Sequence, residues 1–101
     1  MKGNTIAMFM DDLLSAGGPE KEFIFRDKYY FLETIFRKDM NLLDLYLDTY
    51  ENSDSCKKQY VETYHFYGKD FMECVSQFET AKIFEGLTIY EAEKEIEVLY
   101  G

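Results

Sequence analysis

Bases are scarce in this chain: eleven lysines and arginines stand against twenty aspartates and glutamates, a net charge of −9 over 101 residues. That deficit excludes direct binding to nucleic acid or to an anionic lipid surface, because both would repel the protein. Any electrostatic partner should be basic. Long apolar runs are lacking too. The first apolar stretch is broken by Asp11 and Asp12, too early for a signal-peptide core, and nothing approaches the length of a membrane span. Cysteine is limited to Cys56 and Cys74. With no other sign of an oxidising compartment, the expectation is a cytoplasmic protein with both thiols reduced.

Histidine occurs once. His65 lies within Tyr64-His65-Phe66-Tyr67, a strand context in which it reads as a packed or edge residue rather than a catalyst. Cys56, His65 and Cys74 are nine residues apart each way, on a loop, a strand and a helix, which matches no zinc spacing. Cys74 falls on an apolar helix face and reads as core. Cys56 sits in a polar turn beside Lys57 and Lys58, which would lower its pKa. Glycine-rich phosphate loops, Gly-x-Ser-x-Gly elbows and His-Glu-x-x-His are all missing. The expectation is a protein that is not an enzyme and carries no cofactor and no metal.

What the chain does have is aromatic mass: nine Phe and nine Tyr, too many for a solvated acidic tail. A length of 101 residues suits one domain, 1–101, with one core. Ile6, Phe9, Met10, Leu13 and Leu14 recur at helical spacing and predict a helix over 5–16, capped by Asn4 or Thr5 and stopped by Gly17-Gly18-Pro19. The period then shortens. Glu22–Arg26 and Tyr29–Phe36, separated by Asp27-Lys28, predict a β-hairpin that places Phe25 opposite Tyr30 and Phe23 opposite Leu32, with Ile24 and Phe31 on the other face. Leu42–Tyr50 fits a strand with Leu43, Leu45 and Leu47 inward and Asp44, Tyr46 and Asp48 outward, though a helix starting after Asp39 also fits. Asn52-Ser53-Asp54-Ser55 reads as a turn, and Lys57–Tyr67 as a fourth strand ended by Gly68.

Asp70 then caps a helix carrying Phe71, Cys74, Val75, Phe78 and Ala81, stopped near Gly86. Thr88-Ile89-Tyr90-Glu91 fits a capping box, and Ile89, Ala92, Ile96 and Leu99 extend the apolar stripe of a last helix. Val98 lies off that stripe and marks where the helix frays into an extended tail. The expected fold is α+β, in the order α-β-β-β-β-α-α. It comprises a three- or four-stranded antiparallel meander flanked by one N-terminal and two C-terminal helices.

The charge is unevenly distributed. Residues 39–54 hold Asp39, Asp44, Asp48, Glu51 and Asp54 with no base, and residues 70–101 carry a net of −6. On a helix rising about 1.5 Å per residue, Glu91, Glu93, Glu95 and Glu97 present one charge per roughly 3 Å, close to the ~3.4 Å phosphate spacing of one DNA strand. The same residues also fringe the apolar stripe on both flanks, as in an ordinary solvated helix. Asp44 and Asp48 share a strand face with Tyr46 and Tyr50, a combination suited to protein binding. The candidate partner-binding residues are therefore Asp39, Asp44, Tyr46, Asp48, Tyr50, Glu51, Asp54, Glu91, Glu93, Glu95 and Glu97.

The expected function is a small acidic binding protein, in its sharpest form an inhibitor that mimics nucleic acid and blocks a basic nucleic-acid-binding protein. Anti-defence proteins of phages and mobile elements, anti-CRISPR or antirestriction in type, use this strategy. The alternative is a structural or regulatory interaction module, homodimeric through the aromatic strands.

Overall fold

The computed structural model describes residues 1–15, 20–50 and 60–101. Alternation in the first half of the chain produces the sheet. Strands β1 (Lys21–Phe25), β2 (Lys28–Arg37), β3 (Leu42–Tyr50) and β4 (Tyr60–Gly68) follow one another as an antiparallel meander. A fifth strand, β5 (Ile96–Tyr100), returns to pair antiparallel with β1, giving the order β4-β3-β2-β1-β5. Helices α1 (Ile6–Ser15), α2 (Phe71–Thr80) and α3 (Ile89–Ala92) complete the mixed α+β fold. The turn expected at 52–55 and the Gly17-Gly18-Pro19 stop lie outside the described residues, as does Cys56.

Period-two burial gives the sheet two unlike faces. Phe23 and Phe25 on β1, Tyr30 and Leu32 on β2, Leu45 and Leu47 on β3 and Phe66 on β4 point one way and are buried. Phe9, Met10 and Leu13 of α1, Cys74, Val75 and Phe78 of α2, and Ile89 and Ala92 of α3 close over them. Helix ends follow the residues that can satisfy free N–H groups. Thr5 Oγ1 accepts from the Met8 N–H at 3.2 Å, Asp70 from Glu73 at 2.9 Å, and Thr88 and Glu91 form the reciprocal capping box.

Lys21 is the one charged side chain of β1 that points inward. Its ammonium lies 4.8 Å from the centre of the Phe9 ring and donates to Asp12 at 3.3 Å and to the Gly101 carbonyl at 3.0 Å. Those partners make its burial tolerable.

Three expectations need correction. First, the hairpin register is offset: Phe23 pairs with Tyr30 and Phe25 with Lys28, so the turn is Arg26-Asp27 and not Asp27-Lys28. Both turn residues take positive φ, 47° and 67°, as a two-residue turn matching strand twist requires. An offset of two residues preserves the faces, so Phe23, Phe25, Tyr30 and Leu32 are still inward. Second, α2 ends at Thr80, short of Gly86. Residues 84–87 form another tight turn, with Phe84 and Leu87 exchanging two backbone bonds of 3.0 Å. Glu85 and Gly86 sit there at φ 53° and 86°. Glycine suits the second position because it tolerates positive φ without a Cβ clash.

The third correction is the last helix, which stops at Ala92. A single 3-10 turn, Glu93–Glu95, leads into β5, so the sheet has five strands instead of three or four. Ile96 and Val98 align with Phe25 and Phe23 of β1. The Lys2 backbone bonds Ile96 and Val98 at 2.9 and 2.8 Å along the other side of β5. Ladder hydrogen bonds and two β-branched side chains over an aromatic strand outweigh the helical spacing of Ile96 and Leu99. Leu99 consequently stays half-exposed.

Phe84 is fully buried although it lies in a turn. Its ring contacts Phe23, Phe25, Tyr30 and Phe78 with centroid distances of 6.0, 5.9, 5.3 and 6.2 Å. Phe84→Ala should cost about 3–5 kcal/mol in denaturant unfolding, the range for deleting a core ring. A loss below about 1 kcal/mol would show that the turn is not a structural anchor.

Candidate functional site

All three helices pack on the inner face, so the opposite face of the sheet carries no described helix. Register assigns Glu22 and Ile24 of β1, Tyr29, Phe31, Glu33, Ile35 and Arg37 of β2, and Leu42, Asp44, Tyr46, Asp48 and Tyr50 of β3 to this open face. Thr63, His65 and Tyr67 of β4 and Glu97 of β5 complete it. Five carboxylates thus share it with one guanidinium and the single imidazole.

Asp44 is its one buried carboxylate. Its side chain is fully shielded from solvent. Arg37 Nε donates to it at 3.1 Å from β2, and His65 Nδ1 lies 3.1 and 3.0 Å from its two oxygens from β4. A carboxylate only accepts, so the proton of this contact is on Nδ1, leaving Nε2 as the other edge of the ring. One buried group therefore ties three adjacent strands. The imidazole stacks on Tyr67 at 5.5 Å with an interplanar angle of 2°, and Tyr46 leans on it at 6.2 Å.

The neighbouring acids are satisfied by hydroxyls. The Tyr46 hydroxyl donates to Glu33, and Thr63 Oγ1 donates to Asp48 at 2.5 Å. Burial first, then the bond to Glu33 and the field of Asp48, hold the Tyr46 phenol well above the ordinary tyrosine range. Burial and the bond to Glu22 push Tyr29 up to about 12. Away from this face the pattern recurs: burial and the bond to Glu62 push Tyr64 up to about 12, and Tyr90 donates to Glu79 at 3.0 Å. Such bonds fill acceptor sites and leave the negative charge in place.

Of the candidate residues, Asp44, Tyr46, Asp48 and Tyr50 do share one face. Asp44 is nonetheless buried and paired, so it shapes the surface without offering a free charge. Tyr50 meets Tyr29 edge-on at 6.0 Å. Asp39 lies apart, exposed in the β2–β3 turn, while Glu51 and Asp54 fall outside the described residues.

The expected ridge of C-terminal glutamates does not form, because α3 ends after one turn. Glu91 is engaged in the capping box, Glu93 binds the Met1 amino group at 3.2 Å, and Glu95 holds Arg26 at 2.6 and 3.0 Å. The Thr88 backbone N–H lowers the pKa of Glu91, and Arg26 lowers that of Glu95. Glu97 alone reaches the open face, with Lys2 at 3.4 Å. It stands three strand spacings from β3, ~14 Å, with Glu22 and Glu33 on the two strands between.

Glu22, Glu33, Arg37 and His65 complete the face and were not among the sequence candidates. For Glu22, Glu33 and Arg37 the signal was present in the alternation of the hairpin, but a net charge summed over residues 20–38 averages the two faces together. Among the described residues no group of three His, Cys, Asp or Glu could hold a metal ion, and no helix is long and apolar enough to cross a membrane. Cys74 is buried, and burial raises its thiol pKa. No protein-family model, curated protein or solved structure matches this chain.

Asp44→Asn should leave Arg37 without a counter-charge and cost about 2 kcal/mol in urea unfolding. A change under about 0.5 kcal/mol would remove the three-strand tie as a source of stability. Alkali provides a second check. Tyr29, Tyr30 and Tyr64 titrate near 12 in the folded protein and near 10 when unfolded. The unfolded chain therefore loses its protons first. The contribution of these groups is complete below pH 10 and declines as pH rises towards 12. The phenolate absorbance of these three tyrosines should accordingly appear together with unfolding; their ionisation near 10 with the fold intact would contradict this.

Proposed function

We propose that this protein is a small, non-enzymatic acidic binding protein whose open sheet face docks a basic protein. The observation that carries the reading is that, of the five carboxylates on a face no described helix covers, Glu22, Glu33 and Asp48 form an ion pair with no cation among the described residues. Tyrosine and threonine hydroxyls serve Glu22, Glu33 and Asp48 without neutralising them, and Ile24, Phe31 and Ile35 supply apolar contact between them. Tyrosines among acids give a partner both steering charge and rigid ring surface.

A partner whose basic groove ordinarily holds nucleic acid is the class such a surface suits. The protein then works as an inhibitor that takes the place of DNA or RNA, in the manner of anti-CRISPR or antirestriction proteins of phages and mobile elements, acting in the cytoplasm. The mimic in this reading is the sheet face, with its acids spread over β1, β2, β3 and β5, and not a helical ridge.

The alternative, a homodimer through the aromatic strands, has Ile24, Phe31 and Ile35 in its favour. Two copies joined face to face would however bring ten carboxylates together, which opposes that arrangement.

The test uses purified basic nucleic-acid-binding proteins, CRISPR effectors and restriction nucleases among them. Binding should weaken steeply with added salt and compete with the target's own DNA or RNA. Reversing two charges, Glu33→Lys with Asp48→Lys, should weaken it by about a hundredfold, equivalent to ~3 kcal/mol. Salt-insensitive binding, or a target that holds nucleic acid and this protein together, defeats the reading. A dimer that persists at high salt in sedimentation would instead favour the homodimer.

A further inference from the structure

Where β3 ends and β4 begins, a cleft of about 50 Å³ opens beside the core, with Lys28, Tyr30, Thr49, Glu62 and Tyr64 among its lining residues. Tyr30 is the informative one. Its ring is buried and stacked on Phe23 at 5.1 Å. No described residue shares a hydrogen bond with its hydroxyl, yet no buried side-chain oxygen is left unsatisfied, so the hydroxyl faces the cleft.

The remaining polar groups are mostly acceptors. Tyr64 gives its proton to Glu62 at 2.7 Å, leaving the phenol oxygen and the second carboxylate oxygen open. Thr49 Oγ1 is turned to the Glu62 carbonyl at 3.2 Å. Lys28, the one cation among the described lining residues, leans towards Glu85 at 3.7 Å, and among the described residues no cation pairs with Glu62. Burial, then the fields of Glu85 and Tyr64, push the Tyr30 hydroxyl up to about 12, so it is neutral at physiological pH and has lone pairs to offer.

We propose that this cleft is a binding site for a guanidinium on a slender stem. Its planar cation brings five N–H donors to acceptors that have few donors among the described residues. The volume is far below the several hundred Å³ of pockets that enclose a whole metabolite, and it suits one terminal group. The site is separate from the open sheet face and does not depend on the reading given to that face.

The experiment titrates the intact protein with arginine amide and with its neutral isostere, citrulline amide, following the Tyr30 and Tyr64 ring resonances by NMR. Saturable shifts should appear with arginine amide alone. Glu62→Gln should weaken binding about tenfold, and Tyr30→Phe, which keeps the core ring, should weaken it several-fold. An arginine-bearing peptide that binds tighter by about tenfold or more identifies the source as a partner's side chain; anything less identifies a free guanidine. No saturation with arginine amide, an equal response to citrulline amide, or an affinity untouched by Glu62→Gln overturns the assignment. The double reversal Glu33→Lys with Asp48→Lys should leave these shifts unchanged, so the two readings fail separately.

Discussion

Phe84 reaches from a two-residue turn onto the stacked pair of Phe23 and Tyr30, and the rest of the molecule is arranged around that contact. Phe23 belongs to β1, Tyr30 to β2, and Phe84 to the segment joining α2 to α3, so one cluster holds the hairpin and the C-terminal helices together. Each ring pair adds about 0.5–1.5 kcal/mol beyond the area it buries. Drawing so much of the aromatic surface inward also commits the helices to a single face. The other face of the sheet is left with acids, tyrosines, Arg37, His65 and a few aliphatic and phenyl side chains.

That open face illustrates two ways of housing a carboxylate. Asp44 is fully shielded and needs a guanidinium and an imidazole to remain so, because an unpaired buried charge is costly. Glu33 and Asp48, half-buried, are served by tyrosine and threonine hydroxyls. The first arrangement contributes to the architecture and removes a negative charge from use. The second keeps the charge available to a partner. By contrast, the C-terminal glutamates meet cations directly: the Met1 amino group, Arg26 and Lys2. Counting acids along the chain could not separate these fates.

Much of the fold was legible, and particular residues show why. The spacing of Phe9, Met10 and Leu13 is unambiguous, Asp70 and Thr88 are caps with a local mechanism, and Leu43, Leu45 and Leu47 alternate cleanly. What failed depended on distant contacts. The hairpin turn fell on Arg26-Asp27, where Arg26 binds Glu85 and Glu95 from far along the chain. Ile96 and Leu99 obey helical spacing as well as Ile96 and Val98 obey strand spacing, and only the presence of β1 decides between them. For the candidate site, Tyr46 and Asp48 were visible as one strand's outward residues. Glu22, Glu33 and His65 were not, since joining them to that face requires the order of the strands.

By itself, then, the sequence determined the element types with local signatures, the two-faced character of β1 to β3, and the acidic excess. Periodicity, caps and net charge are properties of neighbouring residues and need no third dimension. Tertiary structure alone decided that the last segment is a strand, which acids retain a usable charge, and that Asp44 is buried under Arg37 and His65. Those outcomes depend on which groups meet across the sheet, and burial and pairing are set by distances that chain order does not contain.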